Sequence, residues 1–199
     1  MASKLFFLLL ASLLLGCSPE QLSKEEYVQW VRDESNGLKS TKVVDGVSFS
    51  AQYEPLAFQM LRSNLADDAD TVSSAPDEVE KSTIYQFSYT IKCPDGEDPA
   101  RYTSSDEADY QQRLNYLLSD MQMDFLLIVG RDTIPCAYYH FERNYHTSPE
   151  HHIQLSFATQ RSYPDKDLIL RFDDKLFGFG PIQHTISSQS VSKIPSLKR

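Results

Sequence analysis

Tyr85-Gln86-Phe87-Ser88-Tyr89-Thr90-Ile91-Lys92-Cys93 alternates apolar and polar residues at every step. A period of two places Tyr85, Phe87, Tyr89, Ile91 and Cys93 on one face, which predicts a strand packed on a core on one side and wet on the other. Such a strand needs partners, and the flanking sequence supplies them. Upstream, Asp45-Gly46 separates Leu38–Val44 from Val47–Tyr53, a strong hairpin signal, and Val47, Phe49, Ala51 and Tyr53 alternate cleanly. A two-residue loop sets Lys42 opposite Phe49, which predicts a bulge or an edge position for the first strand. Downstream, Asp124–Gly130, Ile134–Arg143, Ile153–Thr159 and Leu168–Phe172 are strand-like segments between turn-rich stretches. Gly178-Phe179-Gly180-Pro181 leads to a last one near Ile182–Ile186. Connections this short favour antiparallel pairing, since a parallel crossover needs a dozen residues or more.

Helical periods fill part of the remainder. Ser23-x-x-Glu26 is a capping box opening a short helix to about Glu34, with Tyr27, Trp30 and Val31 as its apolar stripe and Asn36-Gly37 as its stop. Pro55 opens a short stretch carrying Leu56, Phe58, Met60 and Leu61. A second box, Ser104-x-x-Glu107, predicts the longest helix, roughly Ser105 to Gln122, with Tyr110, Leu114, Leu117, Leu118 and Met121 on one stripe and Asp109, Gln112, Arg113 and Asn115 outside. The expected fold class is α+β: a mainly antiparallel sheet with one long helix packed on one face and short N-terminal helices. Residues 64–81 have no useful period and read as an acidic, solvated loop.

The chain has 199 residues, 41% of them hydrophobic, and a formal charge of −9. That suffices for one domain with a core of its own, and the acidic balance argues against nucleic-acid binding, which needs a basic footprint. Lys4 is followed by a nearly unbroken apolar run from Leu5 to Leu15 and then by Gly16-Cys17. As a helix that run rises about 16 Å, roughly half a hydrocarbon core of ~30 Å, so it has the layout of a secretory signal rather than of a span.

Leu14-Leu15-Gly16-Cys17 resembles the lipobox of bacterial lipoproteins. The resemblance implies cleavage before Cys17 and acylation of Cys17 itself, so that the covalent lipid, with no other cofactor, holds the chain to a membrane. Ser18 after the cysteine resembles lipoproteins passed on to the outer membrane, and Ser18-Pro19-Glu20-Gln21 is not a dense acidic export run. The periplasmic face is therefore expected ahead of the cell surface. Trp30-Val31-Arg32-Asp33-Glu34-Ser35-Asn36-Gly37-Leu38, with Lys42 and Phe49-x-x-x-Tyr53-x-Pro55, also resembles a group of uncharacterised envelope lipoproteins of Bacteroidota. That likeness covers residues 22–60 and implies no catalytic residues. The expected organisation is a signal peptide (1–16), a lipidated tether (17–22), one α+β domain (23–187) and a C-terminal tail (188–199).

Few residue patterns point to chemistry. His140, His146, His151 and His152 lie close together with Glu142, and imidazoles with a carboxylate suit zinc or another divalent ion. No H-E-x-x-H accompanies them, and an exposed polar turn is the competing reading. Asp67, Asp68 and Asp70 lack the ordered framework of a calcium loop. Nucleophile-elbow, phosphate-loop and dinucleotide signatures are absent. Cys93 and Cys136 either pair in an oxidising compartment or stay as buried thiols, and no C-x-x-C marks a redox pair. In Ile134–Arg143 both phases are apolar, so the strand is either buried on both sides or offers Tyr139 and Phe141 to a partner. The reading favoured is a non-catalytic binding or assembly module with an envelope protein partner. A metal-dependent enzyme built on His140, Glu142, His151 and His152, and a glycan- or peptide-binding module, are the alternatives.

Overall fold

The computed structural model describes residues 21–62, 83–144 and 148–198. Cys17 and the leader, the acidic cluster Asp67, Asp68 and Asp70, and His146 lie outside them. In chain order the strands are β1 (Gln21–Leu22), β2 (Lys39–Val44), β3 (Val47–Tyr53), β4 (Thr83–Lys92), β5 (Phe125–Val129) and β6 (Asp132–Pro135). They continue with β7 (Tyr138–Glu142), β8 (His151–Thr159), β9 (Leu168–Asp174), β10 (Gly180–Ile186) and β11 (Ser196–Leu197). The α-helices are α1 (Lys24–Arg32), α2 (Leu56–Arg62), α3 (Glu107–Leu118) and α4 (Ser188–Ser192). The protein is α+β, with sheet predominating. Among the described residues no helix is long and apolar enough to cross a membrane.

Two antiparallel sheets share the core, where one had been expected. Five strands run in the order β2-β3-β4-β8-β7 and four in the order β10-β9-β5-β6. The difference arises inside Ile134–Arg143, which is two strands. β6 pairs with β5 in one sheet, and β7 pairs with β8 in the other. Pro135, with no N–H to donate, ends β6, and Cys136-Ala137 turns the corner between sheets. The inward phase changes there, from Ile134 to Tyr139 and Phe141. This is why both phases look apolar in the sequence.

Phe49 on β3 and Tyr89 on β4 meet Phe125 on β5 and Phe172 on β9 across the gap between the sheets. Phe125 stacks on Phe172 at 4.7 Å between centroids, and Tyr89 presents its edge to both, at 5.0 and 5.7 Å. The alternation from Tyr85 to Cys93 is reproduced residue for residue, each apolar member being buried. The hairpin forms with a two-residue turn, Val44 opposite Val47, and positive φ at Asp45 (46°) and Gly46 (84°), a primed turn matching the strand twist. Lys42 does lie opposite Phe49, and β2 tolerates it by being an edge strand, with the Lys42 side chain exposed.

The first capping box is present in both directions, Glu26 N donating to Ser23 Oγ and Ser23 N to Glu26 Oε2. The second is displaced. Asp106, not Ser104, caps α3, accepting from Asp109 N at 2.9 Å, while Asp109 Oδ2 accepts from Ser105 N. The one long helix is not formed: α3 ends at Leu118, and Ser119 leads into a 3₁₀ segment, Asp120–Asp124, that buries Met121 and leaves Leu118 45% exposed. Arg113 turns inward, bonding the carbonyls of Ala100 and Tyr102.

Neither the tether nor the tail is loose where it is described. β1 pairs in parallel with β11, Gln21 with Ser196 and Leu22 with Leu197, and Lys198 N donates to Leu22 O at 2.8 Å. Two-stranded pairing of this kind needs support, and Leu22 and Leu197 supply some of it by packing against the hydrophobic core. Gly37 takes φ 74° at the end of the first helical region, and a Cβ there would stand 2.5 Å from Ser190 Oγ. Gly37→Ala is expected to destabilise the domain by about 1–2 kcal/mol, from left-handed backbone strain and displacement of α4, measurable by urea titration.

Candidate functional site

The outer face of the five-stranded sheet is polar by the same alternation that makes its inner face apolar. Gln52, Ser88, Gln154 and His140 lie in register across β3, β4, β8 and β7, and the next rank holds Thr90, His152 and Glu142. One side of this face is walled by helices. Arg32 ends α1, Arg62 ends α2, and Glu54 stands in the link between β3 and α2. With Phe58 these residues enclose a cleft of about 450 Å³ floored by Gln52, Ser88, His152 and Gln154. A second depression of about 360 Å³ adjoins it, shares Arg62 and Gln154, and reaches Tyr138.

Glu54 is the unusual member, only 3% exposed. Its backbone is fixed by Glu54 N donating to Gln86 O and by Gln59 Nε2 donating to Glu54 O. Arg62 donates through one nitrogen to Glu54 Oε1 at 2.8 Å and through the other to Gln154 Oε1 at 3.1 Å. Oε2 is buried and has no partner among the described residues. Burial raises the carboxyl's pKa; the Arg62 cation opposes that shift and the Glu142 charge reinforces it. The Arg32 guanidinium lies 6.0 Å from the Phe58 ring centroid.

The four residues proposed from sequence as metal ligands are divided between two faces. His140, Glu142 and His152 point outward, with Glu142 directly opposite His152 and His152 Nδ1 3.2 Å from Thr90 Oγ1. His151 points the other way: it is buried and stacks on Phe141 at 6.1 Å. Adjacent strand residues cannot share a face, so the quartet cannot converge as a unit. No group of three or more metal-ligating side chains occurs among the described residues.

Tyr139 and Phe141 also belong to the interior and cannot offer the surface suggested for them. Phe141 is buried, and the Tyr139 hydroxyl donates to Leu117 O at 2.5 Å. The exposed phase is the opposite one, led by Tyr138, which is 55% exposed. Cys93 and Cys136 are free thiols. Burial pushes Cys93 up to about 12 and Cys136 up to about 11, which leaves both unreactive near neutrality.

No family model, curated protein or solved structure matches the chain. The cleft's own chemistry carries the functional reading. Glu54, Arg62 and Gln154 were not singled out from the sequence. The one available signal was the middle of β4's outward phase, where Gln86, Ser88 and Thr90 are polar and uncharged between Ile84 and Lys92.

Proposed function

We propose that the chain is a lipid-anchored lipoprotein of the outer membrane, facing the periplasm, whose domain is a non-catalytic module binding a polar ligand in the Glu54–Arg62–Gln154 cleft. The leader and Cys17 support the anchor. Glu54 carries the binding reading. A carboxyl held at 3% exposure with one oxygen unpartnered among the described residues costs stability, and sites that cost stability are where function is commonly lodged.

That cost has a sign. A carboxyl whose folded pKa is raised contributes its stability below its ordinary value of 4.5 and loses it as pH rises through the raised value. Glu54→Gln, permanently neutral, is therefore expected to be more stable than wild type near neutrality, with the difference vanishing in acid. Urea titrations at both ends of that range check this; an unchanged or lowered stability at neutral pH would contradict it. The anchor is tested by feeding cells an alkyne-tagged fatty acid and fractionating membranes. Wild type should be tagged and sediment with the outer membrane, while Cys17→Ser should do neither.

A further inference from the structure

We infer that the ligand of the cleft is a neutral oligosaccharide lying across the strands from Glu54 to Tyr138; this rests on the binding reading above. The charges cancel. Arg32 and Arg62 are matched by Glu54 and Glu142, so neither an anion nor a cation finds a surplus of the opposite sign. What remains is a set of fixed donors and acceptors side by side. Gln52 Nε2 is committed to Val31 O at 2.7 Å, which turns its carbonyl oxygen into the available acceptor. Gln154 Oε1 is committed to Arg62, which leaves its amide nitrogen as the available donor. Glu54 Oε2, unpartnered among the described residues, is too deeply buried to meet a ligand directly, so Glu54 acts on the cleft through its charge and its pairing with Arg62.

A hydroxyl both donates and accepts, so a ligand rich in hydroxyls satisfies such a mixture without leaving an orphan. A phosphate or carboxylate would bring only acceptors against Glu54, and an ammonium only donors against Arg62 and Gln154. The length of the site favours more than one ring. Glu54 N bonds Gln86 O, Gln86 pairs with Ser156, and Ser156 pairs with Tyr138, so the line runs from just past the end of β3 across β4 and β8 to β7, three strand spacings. At the usual strand spacing that is about 14 Å. Tyr138 closes it with an exposed ring, the kind of flat apolar surface on which the C–H face of a sugar rests.

The test uses the full chain in detergent and calorimetric titration. The probes are neutral malto-, cello-, xylo-, manno- and chito-oligosaccharides, an acidic oligogalacturonate, and an oligolysine peptide. At least one neutral series should bind, more tightly than its own monosaccharide. Tyr138→Ala and Gln154→Ala should each weaken it about tenfold, as the loss of one stacking or hydrogen-bonding partner does. Tyr138 is exposed, so its variant keeps the fold. Binding confined to the acidic or the basic probe, and weakened by Gln154→Ala, would overturn the sugar and leave the cleft as a binding site. Binding to no probe, or binding indifferent to both substitutions, would overturn both.

Discussion

Phe172→Ala is expected to cost the domain about 3–5 kcal/mol, a large share of its stability from a single side chain. Phe172 is fully buried on β9 and touches rings from both sheets: Phe125 at 4.7 Å, Tyr89 at 5.7 Å and Phe49 at 6.4 Å. Truncation removes the transfer free energy of the ring and opens a void between rigid strands that cannot close around it. The aromatic contacts add roughly 0.5–1.5 kcal/mol per pair beyond area. Domains of this size hold about 5–15 kcal/mol in total, so the variant should unfold at much lower urea with an unchanged slope. Phe172→Leu should retain most of the stability. A midpoint for Phe172→Ala close to wild type would mean that the two sheets do not pack through this ring cluster.

The second large effect is the loss of a His184 contribution of roughly 3 kcal/mol as pH drops from the ordinary histidine value of 6.5 to about 4, where His184 titrates in the folded chain, opposed over part of that range by the gain from protonating Glu54. Burial is the principal cause, and the Lys42 charge adds to it; the contact with Ser40 opposes it. His184 is fully buried on β10, its Nδ1 3.3 Å from Ser40 Oγ on β2, and its Nε2 has no partner among the described residues. A proton at Nε2 would add a buried donor with no acceptor among the described residues. The neutral ring is thus held in the folded state while the unfolded chain binds the proton first, so the contribution is whole above pH 6.5 and lost as pH falls through about 4. Urea titrations across that range should show the slope in wild type and lose most of it in His184→Gln. Equal slopes would place the acid sensitivity elsewhere.

Both effects depend on pairings that sequence makes legible only in part. The Tyr85–Cys93 alternation and the Asp45-Gly46 turn are local signals, and each was realised at the expected residues. The Ser104 box failed because Asp106 and Asp109 repeat the same three-residue spacing two positions later, and a carboxylate caps as well as a hydroxyl. The long helix failed because a 3.6-residue stripe continues through Met121 even though the backbone changes to 3₁₀ after Ser119; apolar spacing reports the buried face and not the hydrogen-bonding pattern. The second sheet was hidden in the corner at Pro135–Ala137, where one residue of phase shift is indistinguishable from a strand buried on both sides. The cleft was least legible of all. Arg62 meets Gln154 across 92 residues of chain, and no periodicity connects them.

If Cys17 is acylated as proposed, the pairing of β1 with β11 would set how far the domain can wander from that attachment. Between Cys17 and the first paired residue, Gln21, stand only Ser18, Pro19 and Glu20, a leash of at most about 14 Å fully extended. Beyond the clasp, α1 carries the chain about 12 Å from Lys24 to Arg32, at the rim of the cleft. An acyl chain on Cys17 would therefore confine the cleft to a shell close above the headgroups, where it samples what passes along the membrane. Lengthening residues 18–20 with a flexible insert would widen that shell without touching the fold, because the clasp isolates the sandwich from whatever precedes Gln21.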